Sequence, residues 1–190
     1  MASLSPSEAP ELLRQIDSYG EKVTRLGLLM LAHIFLRVGE LKGMRWSEAI
    51  LDDAIWVIPA ERMKLKLPHV VPLSKPVLSL LAELRELSPK SEYVFESPLR
   101  PGHPMSENTF LFALYRLGYR GRMTAHGFRA LASTVLNEKS GFGKDVIERQ
   151  LSHKETDEVR AACNRAEYLP QRREMMTWWS QWLLVAKKQS

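Results

Sequence analysis

The sequence predicts a single, mainly helical domain with a small antiparallel β-sheet (α+β). Three observations lead to this fold class: a length of 190 residues, apolar residues at helical spacing in several segments, and one pair of short β-prone segments. Hydrophobic residues make up 45% of the chain and charged residues 26%, as in an ordinary globular protein with a real core.

Two helices are expected in the first part of the chain. Residues Glu11–Tyr19 form a helix-like segment, and Val23–Leu36 is apolar on nearly all sides, which is typical of a buried helix. Arg37 follows at the end of that buried helix. An ion pair with Glu40, three residues on, is one explanation for the arginine, and a functional role is the other.

A hairpin is predicted next. Ala54–Ile58 and His69–Leu73 are both β-prone and close enough in sequence to pair as antiparallel strands. Their connection is basic and presents Lys64 and Lys66 to solvent or to a ligand.

Local signals then mark the remaining elements. The expected elements are a helix over Pro76–Leu87, a loop over Pro98–Pro104, a helix capped by Ser106 that ends at Gly118, and an amphipathic helix over Gln171–Val185. The last helix carries three tryptophans, and its apolar stripe either joins the core or docks on a partner subunit.

A helix beginning near Thr124 carries the most informative side chains. At helical spacing, His126 and Arg129 lie about 60° apart on a flank away from the apolar stripe, so both are expected to face outward together. Unpaired backbone N–H groups and a positive dipole end add to these two donors. The combination predicts a site for an oxyanion, most naturally a phosphate.

The charge distribution also favours an anionic partner. The formal net charge is +5, and the stretch Asn108–Asn137 contains no acidic residue. Its arginines are Arg116, Arg120, Arg122 and Arg129. A nucleic acid fits this asymmetry, and a solvated basic face is the alternative.

Other classes of protein are excluded by what the sequence lacks. Its single cysteine excludes an internal disulfide and a cysteine-based metal site. No apolar run has membrane-spanning length, and residues 1–10 do not have the order of a signal peptide. We expect a cytoplasmic protein without a metal or other cofactor.

Taken together, the motifs resemble those of tyrosine recombinases, most closely the prophage and satellite-phage integrases of bacteria. The segments that carry the resemblance are Leu36–Leu41, Arg62–Lys64, Pro68–Ser74, Thr124–Arg129, Leu151–Lys154 and Asn164–Trp179. The resemblance implies the DNA breaking-rejoining fold and an enzyme that cuts and rejoins double-stranded DNA through a covalent 3′-phosphoryl intermediate. The residues that it assigns to catalysis are Arg37, Lys64, His126, Arg129, His153 and Cys163, and we expect further DNA contacts at Lys66, Arg116, Arg120 and Arg122.

The nucleophile position departs from the family pattern, because Cys163 stands where these integrases have a tyrosine. Tyr168 is the alternative nucleophile, but on a continuous helix it faces about 140° away from Cys163. Three interpretations stay open: an active recombinase, a non-catalytic DNA-binding remnant, and a type IB topoisomerase-like enzyme.

The resemblance also implies an organisation and an assembly. We expect residues 1–10 to be a polar lead and residues 11–190 to be the catalytic domain, without the DNA-binding domains that family members carry ahead of it. Similar domains act as homo-tetramers on paired DNA sites and exchange C-terminal segments, for which the final helix is suited.

Overall fold

The computed structural model describes residues 2–152 and 168–188, in which helices surround two small sheets. The helices are α1 (Ala9–Asp17), α2 (Lys22–Ile34), α3 (Val38–Lys42), α4 (Lys75–Leu87), α5 (Glu107–Arg116), α6 (Gly127–Lys139), α7 (Lys144–Leu151) and α8 (Leu169–Lys188). The strands are β1 (Ala49–Ile50), β2 (Ile55–Ile58), β3 (His69–Pro72), β4 (Glu96–Ser97) and β5 (Arg100–Pro104). The predicted fold class is confirmed.

The larger sheet contains the predicted hairpin. Strands β2 and β3 pair antiparallel, with Ile58 opposite His69, and β1 adds a third strand on the other side of β2. The prediction of a loop over Pro98–Pro104 is wrong, because β5 pairs with β4 in a second antiparallel sheet. Strand β4 has only two residues, which is too short for a period-2 pattern to be visible in the sequence.

Helix α2 forms the centre of the core, as its apolar sequence predicts. Leu28, Met30, Leu31 and Ile34 are completely buried. The helix ends at Ile34, its C-cap Phe35 has a left-handed backbone with φ 41°, and Arg37 then precedes α3 as the N-cap residue. Arg37 therefore lies between the buried helix α2 and the start of the short helix α3.

Helix α8 packs against its own chain. Its buried face includes Met175, Met176, Trp179 and Leu183, and the Trp179 indole N–H donates to the carbonyl of Ala32 at 2.8 Å. Of the two sequence-based alternatives for this helix, the structure shows the core role. Its exchange between subunits stays a prediction.

A buried hydrogen-bonded chain also connects α8 to α2 and α4. The Ser180 hydroxyl lies 2.9 Å from Nδ1 of His33 and 2.7 Å from the Ser74 hydroxyl.

In the described parts of the chain, no helix combines the length and the apolar character needed to cross a bilayer.

Candidate functional site

A cleft of about 620 Å³ lies where α3, the β2–β3 connection and the start of α6 meet. The residues lining it are Arg37, Val38, Gly39, Glu40, Glu61, Arg62, Met63, Lys64, Lys66, Glu107 and His126. Four of the side chains that the sequence singled out are therefore together here: Arg37, Lys64, Lys66 and His126. They come from three separate stretches of the chain.

Arg37 is held by Glu40 in this cleft. Its backbone N–H donates to Oε2 of Glu40 at 2.9 Å, and its Nη1 donates to Oε1 at 2.7 Å. The Glu40 side chain is 5% exposed, whereas that of Arg37 is 32% exposed. The ion pair that we considered as an alternative explanation is thus present, and it orients the guanidinium of a side chain that is about one-third exposed and lines the cleft.

Arg129 lies near Arg37 and is 3% exposed. Its Nη1 donates to the carbonyl of Phe35 at 3.0 Å, and its Nη2 donates to the carbonyl of Leu151 at 2.7 Å. Burial, followed by repulsion from the nearby charge of Arg37, lowers the pKa of Arg129 to about 10, so the guanidinium stays charged at neutral pH. The charge of Arg37, in the cleft, and the buried charge of Arg129 therefore lie near each other.

The prediction that His126 and Arg129 face outward together is wrong for Arg129. His126 is exposed at the N-cap of α6, but Arg129 points into the protein. Phe35 is the C-cap of α2 and Leu151 is the last residue of α7. Carbonyls at helix C-termini lack helical partners and lie at the negative end of the dipole, so they attract the guanidinium inward.

The start of α6 also differs from the prediction. The helix begins at Gly127, not near Thr124, and the Gly127 N–H donates to the Thr124 carbonyl at 2.8 Å. The Arg129 N–H donates to the His126 carbonyl at 3.1 Å. These two amides are used within the chain, so a ligand at this end of the cleft would rely mainly on side chains.

The lysine turn, which we define as residues 59–68, forms another wall of the cleft. Both Lys64 and Lys66 are exposed, and Nζ of Lys66 donates to the carbonyl of Glu61 at 3.3 Å. Lys66 has a left-handed backbone with φ 54°. The two ammonium groups are therefore presented from a tight, irregular turn, as the basic connection in the sequence indicates.

Arg62 connects this turn to α3, and the sequence analysis gave it no role of its own. Its Nη1 donates to the carbonyl of Glu40 at 3.3 Å, and its Nη2 forms an ion pair with Glu48. A Cβ added at Gly43 would lie 2.6 Å from Nη1, so the glycine leaves the space that the guanidinium occupies. Glu48 lies 14 residues away in sequence, and no local pattern predicts this pairing.

The remaining predicted arginines lie outside the cleft lining. The Nη1 of Arg116 donates to the Tyr19 hydroxyl at 3.0 Å, and Arg120 lies over the ring of Tyr115 at 5.5 Å. Arg122 lies over the ring of Tyr119 at 5.3 Å and forms an ion pair with Glu8 at 2.8 Å. We call Arg116, Arg120 and Arg122, with these tyrosines, the arginine–tyrosine ladder.

The two nucleophile candidates have different outcomes. Tyr168 packs partly buried against the core with a left-handed backbone, φ 42°, and is not one of the described residues that line the cleft. Cys163 and His153 lie outside the described residues.

In residues 2–152 and 168–188, no three His, Cys, Asp or Glu side chains are grouped as a metal ion would require.

Two buried histidines make the stability of this domain sensitive to acid. Burial, followed by repulsion from the nearby cations Arg172 and Lys187 respectively, lowers the pKa of His69 to about 3 and that of His33 to about 4. An unfolded histidine titrates at about 6.5, so the folded state favours the neutral ring. This contribution to stability is complete above about pH 6.5 and is lost as the pH falls towards the folded-state values.

We therefore expect the melting temperature to fall between pH 7 and pH 5. His69→Leu should reduce that fall, because the variant has one fewer buried group to protonate. The exposed His103 provides the control, and His103→Gln should keep the pH dependence of the unsubstituted protein. Thermal unfolding followed by circular dichroism at several pH values measures this, and an unchanged slope in His69→Leu would contradict the assignment.

The comparisons with known proteins agree with this fold. The family model for the phage integrase family matches residues 2–167. The chain is 40% identical over 181 residues to the prophage integrase IntA of Escherichia coli, covering 95% of this chain and 44% of IntA. It is 38% identical over 197 residues to the integrase of Enterobacteria phage P4, covering 95% of this chain and 45% of that protein.

A solved structure gives the same result at the level of fold. A lambda integrase tetramer bound to a Holliday junction matches with a TM-score of 0.62 and 19% identity, over 83% of this chain and 48% of that chain. The chain thus spans less than half the length of these two curated relatives. With the family model matching most of its residues, the chain belongs to the phage integrase family of tyrosine recombinases.

Proposed function

We propose that this chain is the catalytic domain of a site-specific DNA recombinase that cuts and rejoins DNA through a covalent 3′-phosphoryl-enzyme intermediate. The observation that carries the proposal is the cleft lined by Arg37, Lys64 and His126, with the buried charge of Arg129 near that of Arg37. Phosphodiester cleavage needs cations for the charge of the pentavalent transition state and a proton donor for the leaving oxygen. Side chains of both kinds line this cleft.

In the proposed reaction, the scissile phosphate binds beside Arg37 and Arg129. The guanidinium groups neutralise its non-bridging oxygens, for which their planar geometry is well suited. His126 assists proton transfer from the nucleophile, and His153 donates a hydrogen bond to the phosphate. Lys64 gives its proton to the 5′-oxygen as the bond from phosphorus to that oxygen breaks, with Lys66 as the alternative acid.

The covalent protein–phosphate bond conserves the energy of the broken phosphodiester bond for the second half of the reaction. A 5′-hydroxyl of another strand attacks the phosphorus, the nucleophile leaves, and the DNA is rejoined with a new partner. Cys163 stands at the nucleophile position, and its sulfur lies several ångströms nearer the backbone than a phenolic oxygen, in a reaction whose geometry tolerates little misplacement. That substitution favours a second function, a DNA-binding domain that cleaves poorly or not at all.

The arginine–tyrosine ladder is proposed to bind the DNA backbone on either side of the cut. Arg116 and Arg120 are exposed, and their contacts with tyrosines hold the guanidinium groups in place. Pre-organised cations of this kind bind phosphates without reading sequence. We further propose that the protein acts in the bacterial cytoplasm as a tetramer on paired sites, since the lambda integrase structure is a tetramer on a Holliday junction.

Salt dependence of DNA binding tests this function. Affinity for a nicked duplex, measured by fluorescence anisotropy, should fall steeply as salt rises, because counterions are released from the neutralised phosphates. Arg120→Ala should reduce the slope of log affinity against log salt by about 1. Arg85→Ala removes the same charge from an exposed position on α4 and should leave the slope unchanged. Affinity that does not depend on salt would contradict the proposal.

A further inference from the structure

Arg172, in the first turn of α8, is a completely buried cation. Burying a guanidinium is costly unless its N–H groups are hydrogen-bonded. Its Nε and Nη2 donate to Oε1 of Gln150 at 3.1 Å and 2.7 Å, and Nη2 also donates to the carbonyl of Val70. One side chain therefore joins three elements: α8, the end of α7 and strand β3.

The contact with Gln150 leads directly to Arg129. Gln150 is also completely buried, and the next residue is Leu151, whose carbonyl accepts the Arg129 hydrogen bond at 2.7 Å. The other end of the Arg129 guanidinium donates to the carbonyl of Phe35, two residues before Arg37. A continuous set of hydrogen bonds and short backbone links thus runs from Arg172 to both arginines at the cleft.

The contact with Val70 leads to the lysine turn. Among the described strands β3 lies at the edge of its sheet, so no described strand pairs with the backbone carbonyls on its outer side. Arg172 binds one of these carbonyls immediately after the turn that carries Lys64. The Arg172 guanidinium therefore fixes strand β3 against the end of α7, whose Leu151 carbonyl accepts a hydrogen bond from Arg129.

We infer that Arg172 is a positioning residue for the phosphate-binding arginines, acting through Gln150 and Leu151. This inference rests on the proposed function, because it assumes that Arg129 interacts with the bound phosphate. Arg172 docks α8 at a point that these contacts link to Arg129, Arg37 and the lysine turn together. Its loss should displace the Leu151 carbonyl and, with it, the Arg129 guanidinium.

The neighbouring residue Arg173 provides a matched control. Its Nη2 donates to the carbonyl of Asp53 at 2.7 Å and its Nη1 to that of Ala54 at 3.4 Å, both in the β1–β2 turn. Arg173 therefore also anchors the first turn of α8, with the same charge and the same kind of acceptor. It has no described contact with α7 or Arg129, so its removal tests helix docking alone.

The experiment compares Arg172→Met with Arg173→Met in two backgrounds, the unsubstituted protein and Arg129→Ala. Affinity for a nicked duplex is measured by anisotropy at a temperature where thermal unfolding shows each variant folded. We expect Arg172→Met to weaken binding by about fivefold or more in the first background and by less than about twofold in the second, because coupled residues are not additive. Arg173→Met should stay within about twofold in both.

Gln150→Met supplies a second variant, which keeps the cation and removes its acceptor. Gln150→Met should weaken binding more in the unsubstituted protein than in Arg129→Ala, and this can be measured even if Arg172→Met does not fold. Arg172→Lys should have an affinity between those of the unsubstituted protein and Arg172→Met, because lysine lacks the planar fork of a guanidinium. Equal losses in both backgrounds, or unchanged affinity in Arg172→Met and Gln150→Met, would overturn the positioning role. If Arg129→Ala itself leaves the affinity for the nicked duplex unchanged, the proposed phosphate site is contradicted. That result is distinct from one in which Arg129→Ala weakens binding and only the positioning role of Arg172 is contradicted.

Discussion

Arg129→Ala is expected to weaken binding to a nicked duplex by about tenfold to a hundredfold at moderate salt, since hydrogen bonds to charged groups contribute about 1.5–3 kcal/mol. The guanidinium is buried near the charge of Arg37, which lines the cleft, and in this region of low exposure its own charge is poorly screened. Losing it removes half of the proposed phosphate clamp. Anisotropy titration with a labelled nicked duplex measures the change.

The same substitution should also destabilise the fold. The carbonyls of Phe35 and Leu151 lose their described side-chain donor, and a buried acceptor without a partner costs about 1–3 kcal/mol. Binding must therefore be measured well below the melting temperature of the variant. Arg85→Ala, which removes an exposed arginine from α4, controls for net charge. A folded Arg129→Ala protein with unchanged affinity would count decisively against the phosphate site.

Cys163→Tyr is expected to form a covalent adduct with DNA, and to form more of it than the unsubstituted chain does. The phenolic oxygen reaches several ångströms further from the backbone than the thiol sulfur, and reactions of this kind require near-attack geometry. Attack on phosphorus forms the protein–phosphate bond and releases the 5′-oxygen as a hydroxyl, with Lys64 supplying the proton. A library of nicked suicide duplexes with randomised sequence traps the adduct, because the released fragment diffuses away.

Two variants distinguish the possible nucleophiles. Cys163→Phe has nearly the same size as the tyrosine variant but no nucleophilic oxygen, and should form no adduct on a denaturing gel. Tyr168→Phe, combined with Cys163→Tyr, should leave the adduct intact. Loss of adduct in that combination would assign the chemistry to Tyr168. Absence of adduct in Cys163→Tyr with DNA bound would instead favour the non-catalytic DNA-binding function.

Much of the fold follows from local patterns in the sequence. The pairing of Ile55–Ile58 with His69–Pro72 could be predicted because both segments are β-prone and follow each other in the sequence, separated only by residues 59–68. Helix α4 was predictable because a proline near its start and apolar residues at helical spacing specify it without reference to the rest of the chain. Helix α7 was not predicted, since it is short and largely polar, with four buried residues in Lys144–Leu151.

The candidate site was predictable in its residues but not in its geometry. The resemblance of the motifs to those of tyrosine recombinases singled out Arg37, Lys64 and His126, which share the cleft. The burial of Arg129 could not be predicted, because its acceptors are the C-terminal carbonyls of two helices far away in the sequence. The hydrogen bond between Arg172 and Gln150 could not be predicted either, because 22 residues separate them and neither position has an unusual local pattern.

The crystal structure of the chain with a nicked duplex tests the central claim most directly. We predict a backbone phosphate in the cleft, hydrogen-bonded to the accessible side of the Arg37 guanidinium, with His126 and Lys64 on opposite sides of the phosphorus. The arginine–tyrosine ladder should follow the adjacent backbone. DNA bound elsewhere on the protein, with no phosphate between Arg37 and His126, would contradict the proposed recombinase site.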